Sequence, residues 1–127
     1  MNGITYLLKL NPEAKAAWLE ALRSGRYQQG KNLLVRMNED GSSEYCCMGV
    51  LCELAIDHGV RVVREVAQEG ALSVIYFSSH DTFPPHSVKE WAKLDSKAEI
   101  ELATMNDGQH GDGFNFAKIA DWIEENL

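Results

Sequence analysis

Glu44 to Ala55 read EYCCMGVLCELA, and the seven positions from Cys46 to Cys52 hold all three cysteines of the chain. How this stretch folds decides whether the sulfurs bind a metal, attack a substrate or fill a core. From Cys46 or Cys47 the pattern predicts a helix through His58, ended by Gly59, with Cys47, Leu51, Leu54 and His58 on one face. Val50, Leu51 and Leu54 crowd apolar bulk around the thiols, so the segment reads as the central buried helix, a setting in which free cysteine is common. A glycine inside a helix is about 1 kcal/mol less favourable than alanine, so Gly49 signals the close approach of another element.

Working outward, Asn11, Pro12 and Glu13 form a helix start, since Asn caps free amides, Pro suits the first helical position and acid suits the positive dipole end. This helix is expected to reach Ser24, with Gly25 as its left-handed stop. Its apolar stripe is Ala14, Trp18 and Leu22, and Trp18 reads as a core anchor. Lys31 to Met37 (KNLLVRM) favours a strand, and NEDGSS supplies a turn before Tyr45. Val60 to Ala67 and Ala71 to Phe77 are β-branched and aromatic runs joined by QEG, which predicts an antiparallel pair. Pro84-Pro85 breaks the chain before a short helix near Ser87, and another helix runs from Ser96 to about Met105. Asn106 to Asn115 is a Gly, Asp and Asn loop. Asn115 then caps an amphipathic helix with its stripe at Phe116, Ile119, Ala120, Ile123 and Leu127. The expected fold is a single α+β domain: a small antiparallel sheet with about four or five helices packed on it.

A chain of 127 residues fits one domain, and 45% hydrophobic with 24% charged residues is an ordinary globular mixture. The net charge of −7 opposes non-specific contact with nucleic acid. No run of 18 apolar residues exists, and MNGITYLLKLNPEAK has neither a basic leader nor a cleavable apolar segment, so no membrane contact is expected. Three cysteines, two of them adjacent, make a poor disulfide framework, so the expected compartment is the reducing cytoplasm.

Five stretches carry a resemblance: AAWLEALRSGRYQQGKNLL, YCCMGVLCELA, PPHSVKEWAKLD, ATMNDG and FNFAKIADWIEENL. In this order they resemble a family of short bacteriophage and bacterial proteins carrying a YCCxGVLCxLA motif and a C-terminal FxxIADxIE helix. The resemblance spans roughly residues 12 to 127. It implies a phage or mobile-element origin and brings no assigned activity with it.

Structural zinc needs four converging ligands, whereas Cys47 and Cys52 lie about 140° apart on a helix advancing about 100° per residue. No metal site and no cofactor are therefore expected. The Asp-Gly rhythm of NDGQHGDG lacks the alternating ligands and closing Glu of a calcium loop, since Phe114, Phe116 and Ala117 occupy its second half. FAKIADWIEENL resembles the first helix of a helix-turn-helix, but no recognition helix follows it in the sequence. A thiol-dependent enzyme would use Cys46 or Cys47 at the helix N-terminus as nucleophile and His80, His86 or His110 as base. An oligomeric nucleotide- or anion-binding protein would use Arg23, Arg26 and Lys31. The leading expectation is a non-catalytic binding protein, homo-oligomeric or not, whose partner is a host protein or a small-molecule ligand. Its surface would be the loops Ser78 to His86 and Asn106 to Phe114, with His80, Asp81, Phe83, His86, Asn106, Asp107, His110, Asp112 and Phe114 making contact.

Overall fold

Helix α1 (Pro12–Ser24) begins where Asn11 accepts the Glu13 amide at 3.1 Å and stops at Gly25, whose φ of 80° is left-handed. These are the signals the sequence supplies. The computed structural model describes residues 8–108 and 113–127. Four more helices follow: α2 (Cys47–Asp57), α3 (His86–Ala92), α4 (Ser96–Asp107) and α5 (Phe116–Asn126). Their caps obey the same chemistry, Asp95 accepting from Ala98 at 2.8 Å and Asn115 from Lys118 at 2.9 Å.

The strands are β1 (Gln28–Gln29), β2 (Val35–Met37), β3 (Ser43–Tyr45), β4 (Arg64–Glu69) and β5 (Leu72–Phe77), in the sheet order β1-β3-β2-β5-β4. The NEDGSS turn does join an antiparallel pair, β2 and β3. The sheet is nevertheless mixed, because the two-residue β1, which its glutamines do not announce, runs parallel to β3. The strand expected over KNLLVRM is confined to Val35–Met37. Ahead of it Asn32 takes a left-handed φ of 71°, and the Leu34 amide is given to the Asp81 carbonyl at 2.7 Å rather than to a ladder. The next hairpin turn is tighter than QEG suggests, confined to Gly70 and Ala71, with Gly70 at a φ of 63°. Glu69 then faces Leu72, and the pairing continues without interruption to Arg64 facing Phe77.

Helix α2 is buried almost all round: Cys47, Met48, Gly49, Val50, Leu51, Cys52, Leu54 and Ala55 are inaccessible or nearly so. It touches α1, α3 and α4, which makes it the axis of the helical layer. Trp18 fills the space between α1 and α2, fully buried, and its indole N–H donates to the Cys47 carbonyl at 2.9 Å. On the sheet, the cross-strand pair Val35 and Ile75, with Phe77 two residues on, joins the same core. Among the described residues no helix is long and apolar enough to cross a membrane.

Candidate interaction surface

Gly49 shows why the sulfurs are where they are. A Cβ on Gly49 would sit 2.7 Å from the carbonyl carbon of Leu34 and closer still to its oxygen, so only glycine lets β2's leading segment lie on α2. The same Leu34 carbonyl accepts the Cys46 amide at 3.1 Å. This contact covers the start of α2, and all three cysteines are buried. Burial pushes the Cys46 thiol up to about 12, against the opposing pull of the Gly49 and Met48 amides. It raises Cys47 and Cys52 well above the usual thiol range. A helix N-terminus favours thiolate only where water or a cation also reaches it, and here desolvation outweighs the dipole.

The histidines do not change this. His80 is exposed and its Nδ1 lies 2.9 Å from the Ser78 carbonyl, while His86 is exposed and faces Glu90 at 3.3 Å. Among the described residues no imidazole is hydrogen-bonded to a sulfur; His110 and Asp112 lie outside the described residues. Cys47 Sγ has a backbone neighbour instead, the Leu102 carbonyl at 3.9 Å. Of the expected anion ligands Arg23, Arg26 and Lys31, the two arginines are already engaged. Arg23 bonds Asp121 at 2.9 Å and Glu124 at 2.7 Å, and Arg26 bonds Glu20 at 3.0 Å, so both guanidiniums are neutralised within the chain.

Asn106, expected on the surface, is 1% exposed. Its Oδ1 accepts from Gln29 Nε2 at 3.0 Å and the Cys47 amide at 3.2 Å. Its Nδ2 donates to the Gly30 carbonyl at 2.8 Å and Asp107 Oδ1 at 3.1 Å. Asp107 Oδ1 also accepts the Asn32 amide at 2.9 Å. The Asn-Asp pair therefore ties the end of α4 to the start of α2 and to residues 29–32. It is frame, with Asp107 and Phe114 at its outer margin.

The other expected loop does face solvent. Ser78 and Ser79 form a tight turn closed by Phe77 and His80, whose amides and carbonyls exchange bonds at 2.8 and 3.0 Å. Both serines have left-handed φ angles, 48° and 73°, in a geometry usually given to Asn-Gly. Strain of this kind costs on the order of 1–3 kcal/mol per residue and persists only where surroundings over-determine it. Here Val63 holds the turn, donating its amide to Ser78 Oγ at 3.1 Å and accepting the Ser78 amide at 2.6 Å. Asp81 anchors Leu34 through its backbone, and Phe83 is exposed.

Sequence reasoning foresaw the strand beside this turn, paired with β5, but left it out of the candidate surface. Among the described residues β4 is the last strand of the sheet, and its Val66 and the preceding Val63 are each 58% exposed. Leu72, at the hairpin tip, is also exposed. A shallow hollow of about 270 Å³ is lined by Glu65, Val66, Ala67, Tyr76 and Ser79, which links strand and turn into one surface. The Tyr76 hydroxyl donates to Glu69, which pushes the phenol up to about 12 and keeps it a donor. The available signal was composition: REVAQE has no apolar face, whereas LSVIYF does, and a sheet strand without an apolar face belongs at an edge.

The model of one protein family, described as Domain of unknown function (DUF8296), matches residues 10–127. Neither the curated proteins nor the solved structures gave a match.

Proposed function

We propose, for a chain that belongs to the DUF8296 family, a role as a small cytoplasmic accessory protein of phage or mobile-element type that acts by binding a host protein without catalysis. The observation that carries this reading is the exposed outer strand of the sheet and the residue leading into it, where Val66 and Val63 lie bare next to the strained Ser78-Ser79 turn. Apolar residues on a rigid strand and strain in the adjoining turn are both features of recognition surfaces. The thiols, the rival candidates for chemistry, are occupied in packing. The resemblance to short phage and bacterial proteins supports the setting, and a protein partner suits an open surface better than a small ligand, which favours a deep enclosed pocket.

The test is affinity capture from bacterial lysate, quantified by mass spectrometry, with the wild type and Val66→Lys compared at equal circular dichroism. Val66→Lys alters a side chain already 58% exposed, so the fold is expected to survive. A protein retained by the wild type is expected to fall at least about tenfold on the variant, the loss of roughly 1.4 kcal/mol. Equal retention by both, or retention of a small molecule alone, contradicts the reading.

A further inference from the structure

We propose that the outer edge of β4 takes up an extended segment of its partner by strand addition, and that this segment carries two basic residues four positions apart with an apolar residue midway between them. The inference rests on the binding role above and specifies its geometry and chemistry. In a hairpin with a two-residue turn the flanking residues exchange both backbone bonds, and the pairs then alternate. With Glu69 facing Leu72, the inward-bonded residues of β4 are Glu69, Ala67 and Glu65. Arg64, Val66 and Gln68 therefore present their N–H and C=O groups outward, and among the described residues no strand lies beyond them. Natural edges are usually blunted by a bulge, a proline or charged side chains. β4 has an uninterrupted six-pair register and no proline, and its charges at Arg64, Glu65 and Glu69 select which segment the edge accepts.

Side chains specify the occupant. Val35, Ile75 and Phe77 mark the face turned to the helices, and Val66 and Arg64 share it by register. Arg64 is directed back onto α2, where it pairs with Glu53 at 3.0 Å, so its charge is spent inside the chain. The opposite face of β4 carries Glu65, Ala67 and Glu69. A strand added there places its own residues opposite these three on that face. Cations answer Glu65 and Glu69, and the position between them meets small Ala67 and the hollow reaching Tyr76 and Ser79, which takes an apolar side chain. A second copy of this chain would bring the same carboxylates and its own net charge of −7, so complementarity favours a basic foreign segment.

The experiment is an NMR titration of the ¹⁵N-labelled full chain with the peptide KTLVKT and with its charge-reversed control ETLVET. Six residues of added strand are expected to bind with Kd on the order of 10⁻⁴ M, with shift changes centred on the amides of Arg64, Val66 and Gln68. The control and the double variant Glu65→Lys/Glu69→Lys are expected to weaken binding at least about tenfold. Val66→Pro deletes an outward N–H that the hairpin does not use, so it is expected to abolish the titration while leaving the β5 amides in place. Shifts elsewhere, or equal binding of both peptides, overturn the proposal. Concentration-dependent shifts of the β4 amides without peptide overturn it in favour of self-pairing. If lysate capture is lost in Val66→Lys yet KTLVKT leaves β4 unmoved, strand addition falls and the binding role stands; if both fail, both fall.

Discussion

Gly49→Ala is expected to destabilise the chain by about 3 kcal/mol, against the rule that alanine in a helix is better than glycine by about 1 kcal/mol. The sign turns on one contact. Any Cβ at this position meets the backbone of Leu34, with the carbonyl carbon at 2.7 Å, and a backbone atom cannot rotate aside as a side-chain tip can. Leu34 is itself held twice, its amide by the Asp81 carbonyl and its carbonyl by the Cys46 amide, so relief requires sliding α2 off the sheet. That movement would open the packing around Leu34, Cys47 and Val50, all fully buried. Urea unfolding and thermal melts measure it, with a fall in Tm of about 10 °C expected for a domain of this size. Gly49→Ser is expected to do the same, since the first side-chain carbon decides the outcome. A neutral or stabilised Gly49→Ala would mean that α2 and residue 34 are not in contact.

Asn106→Ala is expected to cost about 3–4 kcal/mol, because a buried polar group left without its partner loses its full desolvation penalty. The substitution strands the Cys47 amide and the Gly30 carbonyl, while Gln29 retains the Phe114 carbonyl at 2.8 Å and Asp107 retains the Asn32 amide. Asn106→Asp discriminates further. It keeps an acceptor for Cys47 and Gln29 but removes both donors, setting a carboxylate against the Gly30 carbonyl and Asp107. The new acid's folded-state pKa would be raised, so the charged form is the destabilising one: the gap to wild type is expected to be widest at neutral pH and to narrow as pH falls. If Asn106→Ala unfolds like wild type, the Asn-Asp pair is not a clamp and its place on the binding surface reopens.

Much of the fold was legible because its signals are local. Asn11 with Pro12, Gly25, Asn115 and Gly59 are end markers whose chemistry acts within one helical turn, and each sits where that chemistry requires. The apolar girth of α2 likewise announced a central helix, and Gly49 announced a neighbour without naming Leu34. What was not legible depends on distant partners. Nothing in KNLL says that Leu34 will bond Asp81 and Cys46 instead of a strand, or that Gln28–Gln29 will run beside Tyr45. Asn106 looked like a loop residue because Gly, Asp and Asn surround it; its four bonds reach residues 29, 30, 47 and 107, and three of those are far away in sequence. The edge position of β4 is topological, so only its mixed polarity hinted at it.

The claim beneath all of this is that the cysteine helix is interior structure and recognition lies elsewhere. Native-state alkylation tests it most directly: iodoacetamide at pH 7, with each of Cys46, Cys47 and Cys52 followed by mass spectrometry. Buried thiols held far above their usual pKa are expected to label only at the rate of global unfolding, all three together, and within minutes once urea is added. Rapid labelling of a single cysteine in the folded chain would contradict the account and return the sulfurs to the chemistry.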